Sequence, residues 1–538
     1  MTKQMANVMV WVAVAAVAMP AVALAGQATQ QSAAPQAATT TGGIQVQAQD
    51  TYVVGRALPP EVPGSQRIDL SLDEAMARAL EKNLDIQREK LNPAAQDYSM
   101  VAARAAFRPT FTARTSYNNS ARTSTSSLDG ASRLVTQAQT YNVGASQRMP
   151  WYGGTLTIGF NNNRAADNSA NTLRNPNYRA TTSFNYTQPL WQNLKIDSQR
   201  SQLRTLEIQR QITDIALLQQ IENIKNQVRV AYWALRQSIE AIEIQRRSLD
   251  LSRRNYDDNK VKVEVGTVAE IDLVQLESQI ANGEQSLLAT EIAWRNAELA
   301  FKRLLVDSTE DDFFRATINP TEVAAIQVQD VDIPAAVTRA LTDRTDIVTA
   351  RQNLKVAELG LTLNENSTKP ALDLQTSYSL EGTGGNFKDS TGTLIESGYF
   401  DALKAIGTRE TPTWSLQLNI NYPLGMAAAK ANLARARLQF QQSEIAIKNQ
   451  SLTIETAVTR AGLDVQSTYK QLLAAQKARE AAERTLNAEL TRFSVGMSTN
   501  FQVIQLQNTL TGSRNSELSA TIRYINAIAE FDRVQRIQ

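Results

Sequence analysis

The stretch IQRQITDIALLQQIENIKNQVRVAYWALRQSIEAI, residues 208–242, carries the periodicity that decides the fold. Apolar side chains recur there every three or four residues, and ten such steps lead from Ile208 to Ile242, a mean spacing of about 3.4. That spacing is closer to a heptad seam than to a straight helix, and it predicts left-handed supercoiling. If the pattern extends over 192–262, the helix is about 105 Å long, several times the length that is usual in globular domains.

An internal duplication repeats this pattern. At an offset of 261 residues, Arg78-Ala79-Leu80 reappears as Arg339-Ala340-Leu341; further along, at an offset of 230, Val265-Gly266 reappears as Val495-Gly496. The two offsets differ by 31 residues, which places extra residues between positions 109 and 203 of the first half. Because the period is far too long for a solenoid unit, the sequence predicts one duplicated half-protein. In each half a long helix breaks at the glycine and a second helix folds back alongside it.

Capping signals place a helix before the strands of each half. Ser71 and Glu74 have the spacing of a capping box, and the matching cap in the second half is Asp332. Both helices are expected to end before Pro109 and Pro370. Pro93 lies inside the first of these patterns and predicts a kink there.

Strands follow each of these helices, since the hydrophobic period changes to two. The pattern is clearest where Trp414, Leu416, Leu418 and Ile420 alternate with polar residues, which predicts a strand with one apolar face. Each half offers two secure strands, and the residues leave open whether the first half adds two more. A bacterial outer-membrane barrel needs at least eight strands. If these strands form such a barrel, several chains must pool them, with the long helices continuing the wall as a tube.

The amino terminus predicts export. Lys3 precedes an uncharged apolar run, and Ala23-Leu24-Ala25 follows it with the small residues of a signal-peptidase site; a retained membrane anchor is the alternative interpretation. Beyond Ala25 no apolar run approaches the roughly 18 residues that a spanning helix requires, so a membrane location implies a β-barrel. The cysteine count of zero excludes disulfides and a lipidated cysteine.

Composition argues against an enzyme. The chain has no histidine, which removes the commonest general base and metal ligand, and no metal site or cofactor is expected. Its formal net charge of +2, with both signs interspersed, predicts no nucleic-acid partner.

The order of these motifs resembles the TolC family of outer-membrane efflux proteins, over about 68–533. The similarity rests on the opening Ser71–Leu80, on Ala106-Phe107-Arg108-Pro109 before the strands, on Gln188-Pro189-Leu190 after them, and on the segment Val265–Asp272. This resemblance implies a homotrimer whose shared β-barrel lies in the outer membrane and continues as a coiled-coil α-helical barrel into the periplasm. It also implies a periplasmic adaptor protein and an inner-membrane pump as partners. The fold class expected is mainly α with a membrane β-barrel portion and an internal two-fold repeat.

The resemblance also indicates candidate sites at the far ends of the helical hairpins. Adaptor-docking tips are expected at Val265, Gly266, Thr267, Val495, Gly496 and Met497, although the two glycines are equally well explained as helix C-caps. A constriction at the periplasmic entrance, often acidic in the family, corresponds here to Gln502 and Gln505. These glutamines bring no fixed charge. Asp272 holds the equivalent place in the first half, where an acid near a helix start is more often dipole compensation.

The sequence predicts a signal peptide over 1–25 and a flexible extension over 26–67. The first repeat is expected over 68–306, with strands in 110–188 and a helical hairpin in 190–306. A linker over 307–330 then leads to the second repeat, 331–538, with strands in 371–423 and a hairpin in 425–536. The function expected is a passive duct of a tripartite efflux or type I secretion system. The sequence is compatible with both small molecules and proteins as cargo. The alternative is a non-conducting stalk or adhesin-like envelope protein.

Overall fold

Two similar series of helices and strands follow one another in the computed structural model, which describes residues 57–61, 63–125, 130–266, 269–323, 328–389 and 391–535. All of these residues lie in the compact unit Val53–Gln538. The predicted signal peptide and residues 26–56 of the predicted extension lie outside them. The first copy consists of β1 (Arg67–Leu70), α1 (Leu72–Lys82), α2 (Leu84–Ala105), β2 (Thr110–Thr123), β3 (Arg133–Arg148), β4 (Thr155–Asp167), β5 (Asn177–Pro189), α3 (Ser198–Glu264) and α4 (Glu270–Leu305).

The second copy follows a short connecting segment. Between the copies lie α5 (Asp312–Arg315) and β6 (Thr317–Pro320). The second copy then consists of α6 (Ile333–Asp343), α7 (Thr345–Ser367), β7 (Ala371–Gly384), β8 (Phe387–Lys388), β9 (Leu394–Ile395), α8 (Tyr399–Thr408), β10 (Pro412–Asn421), α9 (Ala427–Ser494) and α10 (Asn500–Gln535).

The helix boundaries confirm the duplication. Helices α4 and α10 are 36 residues long each, and both of their ends differ by the offset of 230. The interruptions between α1 and α2, at Asn83, and between α6 and α7, at Arg344, differ by the offset of 261. The extra residues of the first copy correspond to the hairpin β3–β4, so this copy contributes four strands to the main sheet and the second copy contributes two.

The predicted caps are present, and the helical stretch has an interruption that the sequence did not predict, while the kink at Pro93 stays a prediction. The Ser71 hydroxyl accepts a hydrogen bond from the Glu74 amide, and the Ser71 amide donates to the Glu74 carboxylate at 3.0 Å. Helix α2 runs through Pro93, whereas the interruption falls at Asn83. The Asn83 side chain accepts hydrogen bonds from the amides of Asp85 and Ile86 and thereby starts a new helix.

The long helices form two hairpins. Helix α3 has 67 residues and packs against α4, while α9 has 68 residues and packs against α10, which also contacts α3. At 1.5 Å per residue each long helix extends about 100 Å. Helix α3 begins at Ser198, later than the predicted start near 192, because Asp197 caps it by accepting the Arg200 amide at 2.8 Å. None of the helices in the described ranges is both long and apolar enough to cross a membrane.

The linker predicted over 307–330 and the end of the predicted extension need correction. Strand β6 lies inside the linker and pairs in parallel with β1, from Arg67 opposite Thr317 to Leu70 opposite Pro320. Upstream of β1, Ala57 is buried, and its amide donates to the Glu240 carboxylate at 3.1 Å. The structure of these segments depends on partners more than 150 residues away. The sequence near them therefore carries no strong pattern from which it could be predicted.

Candidate functional site

Six antiparallel strands form one sheet, in the order β10-β7-β5-β4-β3-β2, and one of its faces is apolar. A single row of paired residues crosses all six strands: Trp414, Tyr378, Phe184, Ile158, Ala145 and Phe111. Because alternate residues of a strand share a face, the rows two residues away continue the same surface. Trp414 is 76% exposed and Phe111 is 73% exposed, so the described residues leave this apolar face uncovered at both edges of the sheet.

The opposite face is small and polar. The next row along the strands consists of Thr413, Ser379, Ser183, Gly159, Gly144 and Thr112. Serine hydroxyls contact one another across the strands, as where Ser377 and Ser415 lie 2.7 Å apart. Strict alternation between an apolar face and a polar face is the pattern of a membrane barrel wall that separates lipid from water.

Both edges of the sheet are open. Within the part of the chain that the structure describes, strand β2 pairs only with β3, and β10 pairs only with β7. An exposed edge is a template for pairing with another chain. An even number of antiparallel strands makes β2 and β10 run in opposite directions, and both carry their apolar residues on the same face. One copy can therefore extend the sheet of the next copy in antiparallel fashion without reversing its faces.

The first hairpin tip ends in a left-handed glycine. Val265 caps α3, and Gly266 has φ +82° while its amide donates to the Val263 carbonyl at 2.8 Å. A Cβ added at Gly266 would meet nothing within 4 Å. The turn therefore needs glycine for its backbone conformation and not for close packing. Thr267, the third predicted residue of this tip, lies outside the described residues.

The second tip repeats this geometry. Gly496 has φ +76°, and the Met497 amide donates to the Arg492 carbonyl at 2.9 Å. Val495 and Met497 are both exposed, as is Val265 on the first tip. The structure places all the predicted tip residues that it describes on exposed turns at the ends of the two hairpins, and it shows directly the C-cap role of both glycines.

The gate candidates lie in the first turns of the return helices. Gln502 and Gln505 are exposed on α10, whose first fourteen residues, Asn500–Ser513, carry no charge. Asp272 is partly buried at the third position of α4, beside Glu270, where two acids compensate the helix dipole. The structure therefore brings the three residues to the same end of the two hairpins.

A buried polar cluster just above the tips was missed in the sequence. Asn259 on α3 has no exposed surface, and its carboxamide oxygen accepts a hydrogen bond from the Asn500 side chain on α10 at 3.0 Å. The Asn259 amide group donates to the Asn255 backbone carbonyl at 2.7 Å. This chain of hydrogen bonds joins the first hairpin to the second. The available signal was a pair of asparagines, four residues apart, on a helix whose other buried positions are mostly apolar.

A second missed cluster holds the middle of the long helices to β1 and β6. Arg236 is buried and donates to the carbonyls of Ala57 and Pro320, at 3.2 and 2.9 Å, and it pairs with Glu240 at 3.0 Å. Tyr232 contacts the same region, because its hydroxyl donates to the Leu70 carbonyl at 3.2 Å. Burial raises the pKa of this phenol. The arrangement satisfies backbone carbonyl groups of a small sheet between helices.

Comparisons with known proteins agree with this architecture. The profile of a family described as "Outer membrane efflux protein" matches residues 75–305 and 336–533, one stretch in each repeat. No curated protein matches the sequence.

Several solved structures share the fold. A membrane protein from Pseudomonas aeruginosa superposes with a TM-score of 0.64 at 14% identity, covering 89% of this chain and 98% of that one. The open state of the MtrE outer membrane channel of Neisseria gonorrhoeae superposes with a TM-score of 0.59 at 17% identity, covering 90% and 95%. The CmeC outer membrane channel of Campylobacter jejuni gives 0.62 at 14% identity, covering 86% and 85%.

Proposed function

Since this chain belongs to the outer membrane efflux protein family, we propose that three copies of it form a passive duct. A separate pump, connected to the duct by a periplasmic adaptor, drives the substrate through it. The protein is an outer-membrane efflux channel component that extends into the periplasm. The trimer, the adaptor, the pump and the passive mechanism are what we propose beyond that. The duct serves a tripartite efflux or type I secretion system.

The observation that carries the proposal is the two-faced sheet with open edges on top of two long helical hairpins. Six strands are fewer than the eight that the smallest barrels need, so one copy cannot close the wall. Antiparallel pairing of β2 with β10 of the next copy gives a closed wall, with the apolar face toward lipid and the row containing Ser379 and Ser183 toward the lumen. Six strands from each of three copies give 18.

The hairpin tips are the surface that we propose for the adaptor. Val265, Val495 and Met497 expose apolar side chains on tight turns, and exposed apolar groups clustered at one end of a protein favour protein–protein contact. Changing Val495 or Met497 to Asp should abolish co-purification of the adaptor from native envelopes while the trimer remains intact. Co-purification that is unchanged in both variants would remove the tips from the docking surface.

The gate that we propose is neutral. Gln502 and Gln505 offer hydrogen-bonding groups without fixed charge in a stretch of α10 that has none. A ring of such side chains restricts the pore by size and hydration and does not select strongly for cations.

Two adjacent residues on opposite faces of β7 test conduction. Because the chain has no cysteine, single-cysteine variants can be modified with a charged thiol reagent during current recordings in planar bilayers. The reagent should change the current through Ser379→Cys, on the polar face, and leave Tyr378→Cys unchanged. Equal effects at both positions would reject the polar face as the pore lining. Intact trimers without any current would favour the stalk.

A further inference from the structure

Helix α8 lies on the apolar side of the sheet, outside the proposed pore. A Cβ added at Gly382 would lie 1.8 Å from the carbonyl oxygen of Ala402, so α8 covers Gly382 on the side to which a side chain would point. Gly382 shares that side with Leu380 and Tyr378, since alternate strand residues face the same way. The helix therefore contacts the face that carries Trp414, and not the polar face.

The contacts that hold α8 are specific. The Tyr399 hydroxyl donates to the Asn162 carboxamide oxygen of β4 at 2.7 Å, and the Tyr399 ring meets the Tyr178 ring of β5 edge-on. Ala402 is fully buried against the sheet, as is Ala180 in the row that pairs with Gly382. The helix is thus fixed to three neighbouring strands.

The register places α8 just beyond the apolar band. Strand β10 has ten residues, the length that crosses a bilayer as a tilted strand, and it begins where Pro412 pairs with Leu380. Gly382 lies two residues further along β7, at the end away from the long helices. On β7, β5 and β4 the outward-facing side chains change, over two rows, from Tyr378, Phe184 and Ile158 to Gly382, Ala180 and Asn162. Helix α8 covers the sheet at this level, where the outward-facing residues have small side chains or none.

The outer side of α8 presents an aromatic residue beside a cation. Phe400 is 83% exposed, and Lys404, one turn later on the same side, is also exposed. Aromatic side chains mark the boundary between lipid and water, and a lysine there keeps its charge among the headgroups while its stem contacts apolar surface. The exposed apolar residues from Trp414 to Ile420 lie on the same face of the sheet, on the strand that pairs with β7.

We propose that α8 is an interfacial helix that binds the headgroup layer of the membrane leaflet facing the cell exterior, with Phe400 inserted and Lys404 at the lipid phosphates. The inference rests on the proposed function, because it requires the apolar face to lie in lipid. The exposed outer side of α8 has room for a lipid partner at the outer end of the barrel. By binding there, the helix fixes the depth of the sheet in the membrane.

Spin labels on single cysteines test this inference in vesicles of phosphatidylethanolamine and phosphatidylglycerol. A label at Phe400→Cys should collide with oxygen, which dissolves in lipid, nearly as often as a label at Leu416→Cys in the apolar band. Its collisions with a water-soluble nickel complex should be several-fold fewer than those of a label at Val265→Cys on the helical tip. Gly382→Val, which displaces α8, should restore nickel access at position 400, whereas Gly407→Ala on the exposed side of α8 should not.

The alternatives give different results. Nickel access at position 400 equal to that at the tip would mean a helix in water, and it would overturn the inference alone. Low access to both oxygen and nickel would mean that a second copy of the chain covers Phe400, which also overturns it. Nickel access at Leu416→Cys equal to that at the tip would show that the sheet is not in lipid, and the proposed function would fail together with the inference.

Discussion

Asn259 and Asn500 join the two helical hairpins through one buried hydrogen bond, 3.0 Å long, in which the Asn500 side chain donates to the Asn259 carboxamide oxygen. The two residues are 241 positions apart, in different repeats. Their contact lies one or two helical turns from the exposed tips. It ties the end of α3 to the start of α10, which carries both glutamines of the proposed gate.

Removing this hydrogen bond should loosen the tips. Asn259→Ala leaves the Asn500 donor buried without its partner, a loss of about 1–3 kcal/mol in local stability. Hydrogen exchange should therefore accelerate at the ends of α3 and α10. Exposed Asn282→Ala on α4 is the control and should change nothing. In the double variant Asn259→Ala/Asn500→Ala the loss should be smaller than the sum of the single losses; simple additivity would mean that the two side chains are not coupled.

Adding charge at the proposed gate should make the channel cation-selective. Gln502→Glu or Gln505→Glu places one carboxylate per copy at the entrance, and fixed negative charge concentrates cations there. Reversal potentials measured in a salt gradient should shift toward the equilibrium potential of the cation. The neutral changes Gln502→Asn and Gln505→Asn should leave the potentials as they are. If both glutamate variants behave like the wild type, these residues do not line the constriction.

The hairpin β3–β4 should set the width of the barrel. Strands β2 and β5 run antiparallel, so deleting residues 130–168 leaves two strands that can pair directly, as β7 and β10 do in the second repeat. Each copy then supplies four strands in place of six, and the circumference should fall by about a third, because barrel diameter grows nearly linearly with strand number. Electron cryomicroscopy of the trimer measures this diameter. A variant trimer of unchanged width would contradict a shared wall.

The segment between the repeats should be held less firmly in acid. The Lys82 ammonium group donates to the Asp307 carboxylate at 3.0 Å, which lowers the pKa of Asp307 below its ordinary 3.8 and raises the pKa of Lys82 above 10.5. The pair therefore stabilises the fold fully between pH 3.8 and 10.5. Its contribution is lost as the pH falls through the depressed pKa of Asp307 or rises through the elevated pKa of Lys82.

Hydrogen exchange of 307–320, corrected for the intrinsic effect of pH, measures that loss. Asp307→Asn should accelerate exchange at pH 7 and should have a diminishing effect below pH 3.8, where the wild type loses the same interaction. The exposed neighbour Glu310→Gln is the control. An Asp307→Asn effect of undiminished size in strong acid would rule out the charged pair as the cause.

Local signals account for what the sequence predicted correctly. The Ser71 cap, the glycine turns and the heptad seam each depend on residues within a few helical turns, and the duplication supplied an independent copy of each. The alternation in β10 predicted its apolar face for the same reason. Where the two copies differ, as at the hairpin β3–β4, the change in offset located the extra residues but could not assign them to strands.

Long-range contacts account for what it missed. Strand β6 exists because β1 lies beside it, and Ala57 is held by Arg236 and Glu240, far along the chain. Gly382 is covered by Ala402, which is closer along the chain, but no residue pattern beside Gly382 indicates that a helix will cover it. The described tip residues Val265, Gly266, Val495, Gly496 and Met497 lie on exposed turns, and their docking role remains a prediction.

The native mass of the assembly tests the central claim most directly. The protein should be extracted from outer membranes in mild detergent and its detergent-stripped mass determined by mass spectrometry. The account predicts the mass of three chains, since six strands with two open edges cannot close alone. A folded monomer that persists at concentrations well above those in the membrane would contradict the shared barrel, and with it the duct.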